Sequence, residues 1–289
     1  MKTLMKKAMI FAVVCFSLVA CYRLDGDNSD YDFGDDYSTE DVYADGYYRL
    51  DNSLRLATWN VHRCTPATSS VANYDDIGYA ITCMEPHVLA LQELDNGTSA
   101  HSENQIYELA IRAGMSYQYC KTIDSGSGEY GIGMLYDSSL DTPTFYSGDL
   151  PGVEARKFLV AEFDEFVFIA THFCHKSDDN RTESMQIITD YVDETYGSST
   201  KPVYLGGDLN ESSLSSDMGK VLTASWSVIS INSGTYFNTS SPTRIDYILV
   251  YEGNNPEYEV LGTAIPVYQD VNFNNLSDHY PVIVDIKDE

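Results

Sequence analysis

Side chains of catalytic type stand at the ends of several apolar segments in this sequence. A single carboxylate in such a position is usually a helix cap or a surface residue. Six such groups along one chain are hard to explain in that way, and their order suggests a shared site. The groups are Asn60, Glu93, His172, Asp208 with Asn210, Asp246, and Asp278 with His279.

Carboxylate, imidazole and amide groups together can accept protons, donate hydrogen bonds and hold a cation. A hydrolysis served by such groups needs an aligned water, a group that orients or deprotonates it, and positive charge near oxygens that gain negative charge. Asp208 and Asn210 are two residues apart, so extended backbone can turn both side chains to the same side. The Gly206–Gly207 pair before them could also form a simple turn, but a turn does not explain the other groups.

The elements that would position these groups alternate between strands and helices. Apolar runs predict strands that end near the polar groups, and apolar spacing predicts three helices between them. No repeat is present, so the pattern indicates a layered α/β domain with two sheets. Predicted strands cover 54–60, 88–92, 131–136, 158–162, 166–171, 203–206, 244–251 and 280–286, and predicted helices cover 75–83, 103–113 and 181–196.

Four motifs make the chain resemble the endonuclease/exonuclease/phosphatase superfamily, over essentially residues 54–286. They are Thr58–His62, Leu91–Glu93, Gly206–Asn210 and Ser277–Pro281. The resemblance implies a four-layered α/β sandwich, in which helices flank two packed mixed β-sheets, across the domain at 52–289. It also implies a metal-dependent phosphoesterase that uses Mg²⁺ or Mn²⁺, without specifying the substrate.

The resemblance also implies a role for each matched residue. Glu93 would hold the cation, with Asn60 and Asp278 as further candidate ligands. Asp208 would orient or deprotonate the attacking water, and His279, held by Asp246, would face the phosphate. The remaining candidates are His172 as phosphate donor or leaving-group acid, Asn210 and Asn60 as contacts to phosphate or metal-bound water, and Arg156 as a phosphate contact or a loop brace.

The N-terminal residues have the features of an export signal. Residues 1–20 combine lysines with a short apolar run, and Leu18-Val19-Ala20-Cys21 resembles the lipobox of bacterial lipoproteins. That resemblance implies cleavage before Cys21 and acylation of its thiol, although an ordinary signal with an incidental cysteine is the alternative. We expect a cell-envelope protein anchored to the outer membrane, since no Asp follows Cys21.

Residues 21–51 are predicted to form an acidic tether between the lipid and the domain. They are rich in Tyr and Asp and poor in Leu, Ile and Val, so they cannot bury enough apolar surface to offset their ordering entropy. The alternative is that the tyrosines of this segment pack on the domain.

The domain is strongly acidic, which bears on its substrate. Residues 52–289 hold 34 acidic and 12 basic side chains, a net charge of −22. This balance disfavours a protein that grips long nucleic acid through its phosphates. We expect a monomer that hydrolyses a phosphodiester or phosphomonoester in a small, lipid or sugar-phosphate substrate. The alternatives are an extracellular nuclease and a non-catalytic surface-binding lipoprotein.

Two further features leave alternatives open. The domain cysteines Cys64, Cys83, Cys120 and Cys174 could be four thiols or could include one disulfide. The segments 141–152 and 232–241 are expected to be loops that are long enough to shape a substrate pocket.

Overall fold

The computed structural model describes Tyr43 and residues 46–287. The predicted signal at 1–20, the predicted acylation site Cys21 and most of the predicted tether at 21–51 lie outside the described residues. Among the residues that are described, none of the helices is both long enough and apolar enough to cross a membrane.

The described chain contains twelve strands and four α-helices. The strands are β1 (Ser53–Asn60), β2 (Val88–Asn96), β3 (Ser116–Ser125), β4 (Gly128–Tyr136), β5 (Thr144–Leu150), β6 (Arg156–Glu162), β7 (Val167–His172), β8 (Val203–Asp208), β9 (Trp226–Val228), β10 (Asp246–Tyr251), β11 (Val260–Ala264) and β12 (Val282–Lys287). The helices are α1 (Tyr74–Met84), α2 (Gln105–Ala113), α3 (Asp178–Tyr196) and α4 (Asp217–Ser225).

The strands form two six-stranded mixed sheets. Their orders are β11-β12-β1-β2-β4-β3 and β5-β6-β7-β8-β10-β9. Strands β1 and β2 are parallel, as are β7 and β8, whereas the other neighbours are antiparallel. The predicted α/β sandwich of two packed mixed sheets is confirmed.

Three apolar clusters define the layers. One lies between the sheets and includes Leu56, Phe168 and Ile248. A second joins the first sheet to α1 and α2, and a third joins the second sheet to α3 and α4. The inner strands are therefore buried on both faces, which explains their nearly continuous apolar runs.

The sequence analysis missed four strands and one helix. The segment 141–152, which we expected to be a loop, contains β5, and β3, β9, β11 and helix α4 were not predicted. The four strands are the edges of the two sheets, so they lack the continuous apolar pattern of an inner strand. The segment 232–241, by contrast, contains no helix and no named strand.

The end of the predicted tether packs on the domain. The fully buried Arg55 and Asp285 form a two-point ion pair at 2.6 and 2.8 Å. Arg55 also donates to the carbonyls of Tyr47 and Tyr48, and the Tyr43 hydroxyl donates to Asp285. The alternative of packed tyrosines therefore applies to this end of the segment.

The four domain cysteines are free thiols, and all four are buried. Of the two alternatives, the described structure therefore has four thiols and no disulfide among them.

Candidate functional site

The strand topology brings the candidate residues to one end of the sandwich. Asn60 ends β1 and His172 and Asp208 end β7 and β8, so all three lie at carboxyl ends of parallel strands. Asp246 begins β10, which runs antiparallel to β8, and pairs directly with Asp208. His279 precedes β12, which is antiparallel to β1. Distant parts of the sequence thus share one edge.

The Gly206–Gly207 pair lies inside β8 and does not form a turn. A Cβ atom on Gly206 would stand 2.7 Å from the Phe168 ring and 3.5 Å from Thr58 in the opposite sheet. One on Gly207 would stand 2.2 Å from the Thr171 carbonyl. Because these positions lack side chains, β8 can approach both neighbours and place Asp208 against β1.

Asn60 joins the two sheets at the centre of the site. Its amide nitrogen donates to Asp208 at 3.0 Å and to Glu93 at 3.2 Å, while its oxygen accepts the backbone N–H of His62. With this orientation, Asn60 holds two carboxylates and turns its oxygen away from them. The role of Asn60 as a metal ligand stays a prediction.

Glu93 lies in an irregular part of β2. The pairing with β4 shifts between Leu91 and Leu94, and Glu93 has a left-handed backbone with φ of 60°. Such a conformation is costly for a residue with a side chain, and a bulge commonly redirects a side chain next to a functional site. The irregularity explains how Glu93 comes to meet Asp208 at the Asn60 amide.

Asp208 is a buried carboxylate on which the other groups of the site converge. Burial, together with the charge of Asp246, raises its pKa to about 7, while His279 and the hydrogen bonds from Asn60 and Asn210 act in the opposite direction. A carboxylate with such a pKa can accept a proton near neutral pH. His172 and His279 lie 3.5 and 3.8 Å from the same oxygen.

His279 carries a positive charge in this site. Burial alone would lower its pKa, but Asp246, Asp208 and Asp278 outweigh burial and raise the pKa to about 10. Its Nδ1 atom lies 2.8 Å from Asp246, whose same oxygen accepts the Thr235 hydroxyl at 2.6 Å. Asp246 thus holds the ring, and the surrounding carboxylates favour its protonated form.

His172 differs from His279 in its charge. Burial and the nearby charges of Arg156, His279 and His175 lower its pKa well below the ordinary value. A neutral imidazole suits a hydrogen-bond donor to phosphate better than a leaving-group acid. Its Nδ1 and the Nε of Arg156 are buried without hydrogen-bond partners among the described residues. Arg156 therefore lies beside the site with a donor still unused.

Two other candidates have partners that narrow their roles. Asn210 has a left-handed backbone with φ of 51°, its N–H donates to Asp208, and its side-chain amide donates to the Phe173 carbonyl. Within the described residues, the oxygen of its side-chain amide accepts no hydrogen bond. Asp278 is buried, and one of its oxygens lies 3.9 Å from His279 Nε2. A nearby arginine, Arg181, donates to the Cys174 carbonyl and to the Asp178 carboxylate, so it holds the chain between β7 and α3 in place.

Three acidic or histidine residues with mutually close donor atoms occur together in the described part of the chain, namely Asp208, Asp246 and His279. A cation among them would displace the hydrogen bonds of Asp246 and meet a charged imidazole, which is not a ligand. Glu93 fits better, because its half-buried carboxylate forms no ion pair within the described residues and shares one amide with Asp208. Close carboxylates of this kind suit a hard divalent cation.

The sequence analysis missed three contributors to the site. Thr235 supports Asp246, and the ring of Tyr236 lies 4.9 Å from the His279 ring. Burial and the charge of Glu93 raise the pKa of the Tyr130 hydroxyl, and the charge of Arg156 lowers it, so Tyr130 lies beside both residues. No local sequence pattern reveals these contacts.

Comparisons with known proteins agree with this geometry. A model of the Endonuclease/Exonuclease/phosphatase family matches residues 57–279. A structure described as an endonuclease/exonuclease/phosphatase from Bacteroides vulgatus is 20% identical with a TM-score of 0.66, and covers 82% of this chain and 99% of its own. No curated protein matches the chain.

Two similar structures have printed activities or ligands. A mannosyl-6-phosphatase from Bacteroides thetaiotaomicron is 18% identical with a TM-score of 0.64, over 81% of this chain and 99% of its own. TDP2 from D. rerio, complexed with single-strand DNA product, is 19% identical with a TM-score of 0.61, over 82% and 99%. At these identities the likeness shows the shared fold.

Proposed function

We propose, from the premise that the chain belongs to the Endonuclease/Exonuclease/phosphatase family, that it is a cation-dependent hydrolase of small phosphoesters. The observation that carries the proposal is the convergence on Asp208. Asn60, His172 and His279 approach one oxygen of this carboxylate at 3.0, 3.5 and 3.8 Å, and Glu93 shares the Asn60 amide.

The residues divide the chemistry between them. Asp208, with its raised pKa, orients the attacking water and accepts its proton. The charged His279 stabilises negative charge on the phosphate oxygens, and Asp246 keeps its ring in place. Neutral His172 and the spare Arg156 donor bind further phosphate oxygens. These roles apply to phosphomonoesters and phosphodiesters alike.

The cation is the remaining component of the proposal. Glu93 would hold Mg²⁺ or Mn²⁺, an ion that commonly takes one or two carboxylates and keeps several waters. When bound, it supplies positive charge to the substrate phosphate. Asp278 is a second candidate ligand, whereas Asn60 serves by holding Glu93 in place.

Removal of the cation tests this function. We expect exhaustive chelation to abolish phosphate release or diester cleavage over a panel of phosphoester probes, and added Mg²⁺ or Mn²⁺ to restore it. Glu93→Gln removes the charge but keeps the shape, so the cation concentration for half-maximal activity should rise at least about tenfold. Glu183→Gln, at an exposed position in α3, is the matched control and should behave as wild type. Full activity after chelation would refute the proposal.

Charge favours a small substrate over a long nucleic acid. The net charge of −22 over residues 52–289 repels a polyanion, and the basic side chains near the site are few. Among the similar structures, one is named for a sugar phosphate and another is bound to single-strand DNA product. We propose a small phosphoester, with the extracellular nuclease as the alternative that the probe panel distinguishes.

We also propose that the enzyme acts in the cell envelope, anchored through an acylated Cys21. The support is the lipobox-like Leu18-Val19-Ala20-Cys21 after the apolar run of residues 8–20. Fractionation of expressing cells should find the mature wild type in the membrane and mature Cys21→Ala in the soluble fraction. Mature wild type in the soluble fraction would contradict the anchor.

A further inference from the structure

Arg63 lies beside the site and is not used by the proposed mechanism. Its guanidinium carbon lies 5.0 Å from the centre of the Tyr130 ring, and its Nη1 lies 3.7 Å from the Asp95 carboxylate. Asp95 and Tyr130 pair directly across β2 and β4, so the guanidinium rests on one cross-strand pair. Glu93 is two residues before Asp95 in β2, and Glu93 and Arg63 shift the pKa of the Tyr130 hydroxyl in opposite directions, so both side chains lie near it.

The support beneath Arg63 is rigid. The Asp95 side chain is fully buried, and His101 holds it through a 2.6 Å contact from Nδ1. The Gln105 amide donates to the Arg63 carbonyl at 2.6 Å and its oxygen accepts the Asp95 N–H. One set of buried polar groups therefore fixes both the backbone of Arg63 and the carboxylate under its guanidinium.

The backbone at Arg63 is strained. His62, Arg63 and Cys64 are consecutive residues with side chains, and their φ angles are 44°, 57° and 58°. Residues with a Cβ atom rarely adopt this conformation, and it persists only where surrounding structure imposes it. Here the buried Cys64 side chain and the hydrogen bonds of the turn impose it. Strain of this kind clusters at ligand sites.

The guanidinium is nevertheless available to a ligand. Its side chain is 43% exposed, and within the described residues none of its N–H groups donates a hydrogen bond. The 3.7 Å contact to Asp95 is longer than a hydrogen bond. Arg63 is one of only 12 basic side chains in residues 52–289. Its guanidinium is supported by Asp95 and Tyr130 and still has N–H groups available to a ligand. The planar guanidinium can bind two oxygens of one phosphate group.

We propose that Arg63 is a specificity-determining residue that binds a second phosphate group on the substrate whose phosphoester is hydrolysed at Asp208. This inference rests on the proposed function and names its substrate class, a small molecule with two phosphate groups. Because Glu93 and Arg63 both lie near Tyr130, the second phosphate would lie within the length of a small molecule from the first. Asp95 is a positioning residue that acts through Arg63.

The test compares two probes that differ by one phosphate, mannose 6-phosphate and mannose 1,6-bisphosphate, with Mg²⁺ present. For the wild type, kcat/KM for phosphate release should be about tenfold or more higher on the bisphosphate, as expected for a charge-assisted hydrogen bond. Arg63→Ala should remove this preference and leave kcat/KM on the monophosphate within about twofold. Lys220→Ala removes one exposed positive charge from helix α4 and should keep the preference.

Two further variants separate binding from a merely structural effect. Arg63→Lys keeps the charge without the fork and should retain part of the preference. Asp95→Asn should raise KM for the bisphosphate without changing kcat on the monophosphate. Equal rates of the wild type on both probes, or an equal loss on both in Arg63→Ala, would overturn the inference alone. No cation-dependent hydrolysis by the wild type of either probe, of p-nitrophenyl phosphate or of bis(p-nitrophenyl) phosphate would overturn the proposed function as well.

Discussion

We expect Asp208→Asn and His279→Ala each to lower turnover by on the order of a hundredfold or more, as positioned acid–base and charge-stabilising groups do. The asparagine keeps the shape of Asp208 but cannot accept a proton. The alanine removes the imidazolium that Asp246 holds at 2.8 Å. Both groups act on the same transition state, so we expect the double variant to lose much less than the product of the two single losses.

Turnover and the free energy of unfolding should be measured for the wild type, both single variants and the double variant. Asp217→Asn, at an exposed position in α4, is the matched control and should retain wild-type turnover. Folded Asp208→Asn and His279→Ala proteins with wild-type turnover on a hydrolysed substrate would contradict this active site. A double variant whose losses multiply would show instead that the two residues act independently.

Asp246→Asn should lower turnover by on the order of ten- to a hundredfold, the range for a partner that orients a functional histidine. It should also move the alkaline limb of the pH profile to lower pH. Burial lowers the pKa of His279, and Asp246 is the first of the carboxylates that raise it to about 10. Without that charge, the imidazolium loses its proton at lower pH, and the activity that depends on it declines earlier.

Stability should follow the same titration. Because the pKa of His279 is higher in the folded protein than its ordinary value of 6.5, its pairing with Asp246 stabilises the fold fully below pH 6.5. This stabilisation is lost as pH rises through about 10. In Asp246→Asn the loss should occur at lower pH, which urea unfolding at several pH values would measure.

Thr235→Val is the control that separates charge from positioning. It removes the 2.6 Å hydrogen bond to Asp246 but keeps the carboxylate charge beside His279. We expect a modest loss of turnover with the alkaline limb close to its wild-type position. An Asp246→Asn protein with an unshifted alkaline limb would mean that His279 does not carry the charge on which activity depends.

The sequence by itself determined the chemical groups and the inner elements that carry them. Asn60, Glu93, His172 and Asp208 follow apolar runs that proved to be buried strands or their ends. Inner strands could be predicted because both of their faces are apolar, and three of the four helices could be predicted from their apolar spacing. The edge strands β3, β5, β9 and β11 and the short helix α4 could not, because an edge strand does not carry the continuous apolar run of an inner one.

Only the tertiary structure decided which groups touch and what charge each one bears. Asn60 and Asp208 are 148 residues apart and belong to different sheets, so no local pattern records their 3.0 Å contact. The two histidines differ in protonation, with His172 neutral and His279 protonated. This difference depends on burial and on charged neighbours that folding brings together. The sequence likewise gave no reason to single out Arg63, because the residues that support it, Asp95 and Tyr130, lie in two later strands. Side-chain types are local properties of a chain, whereas contacts, burial and electrostatic fields belong to the folded molecule.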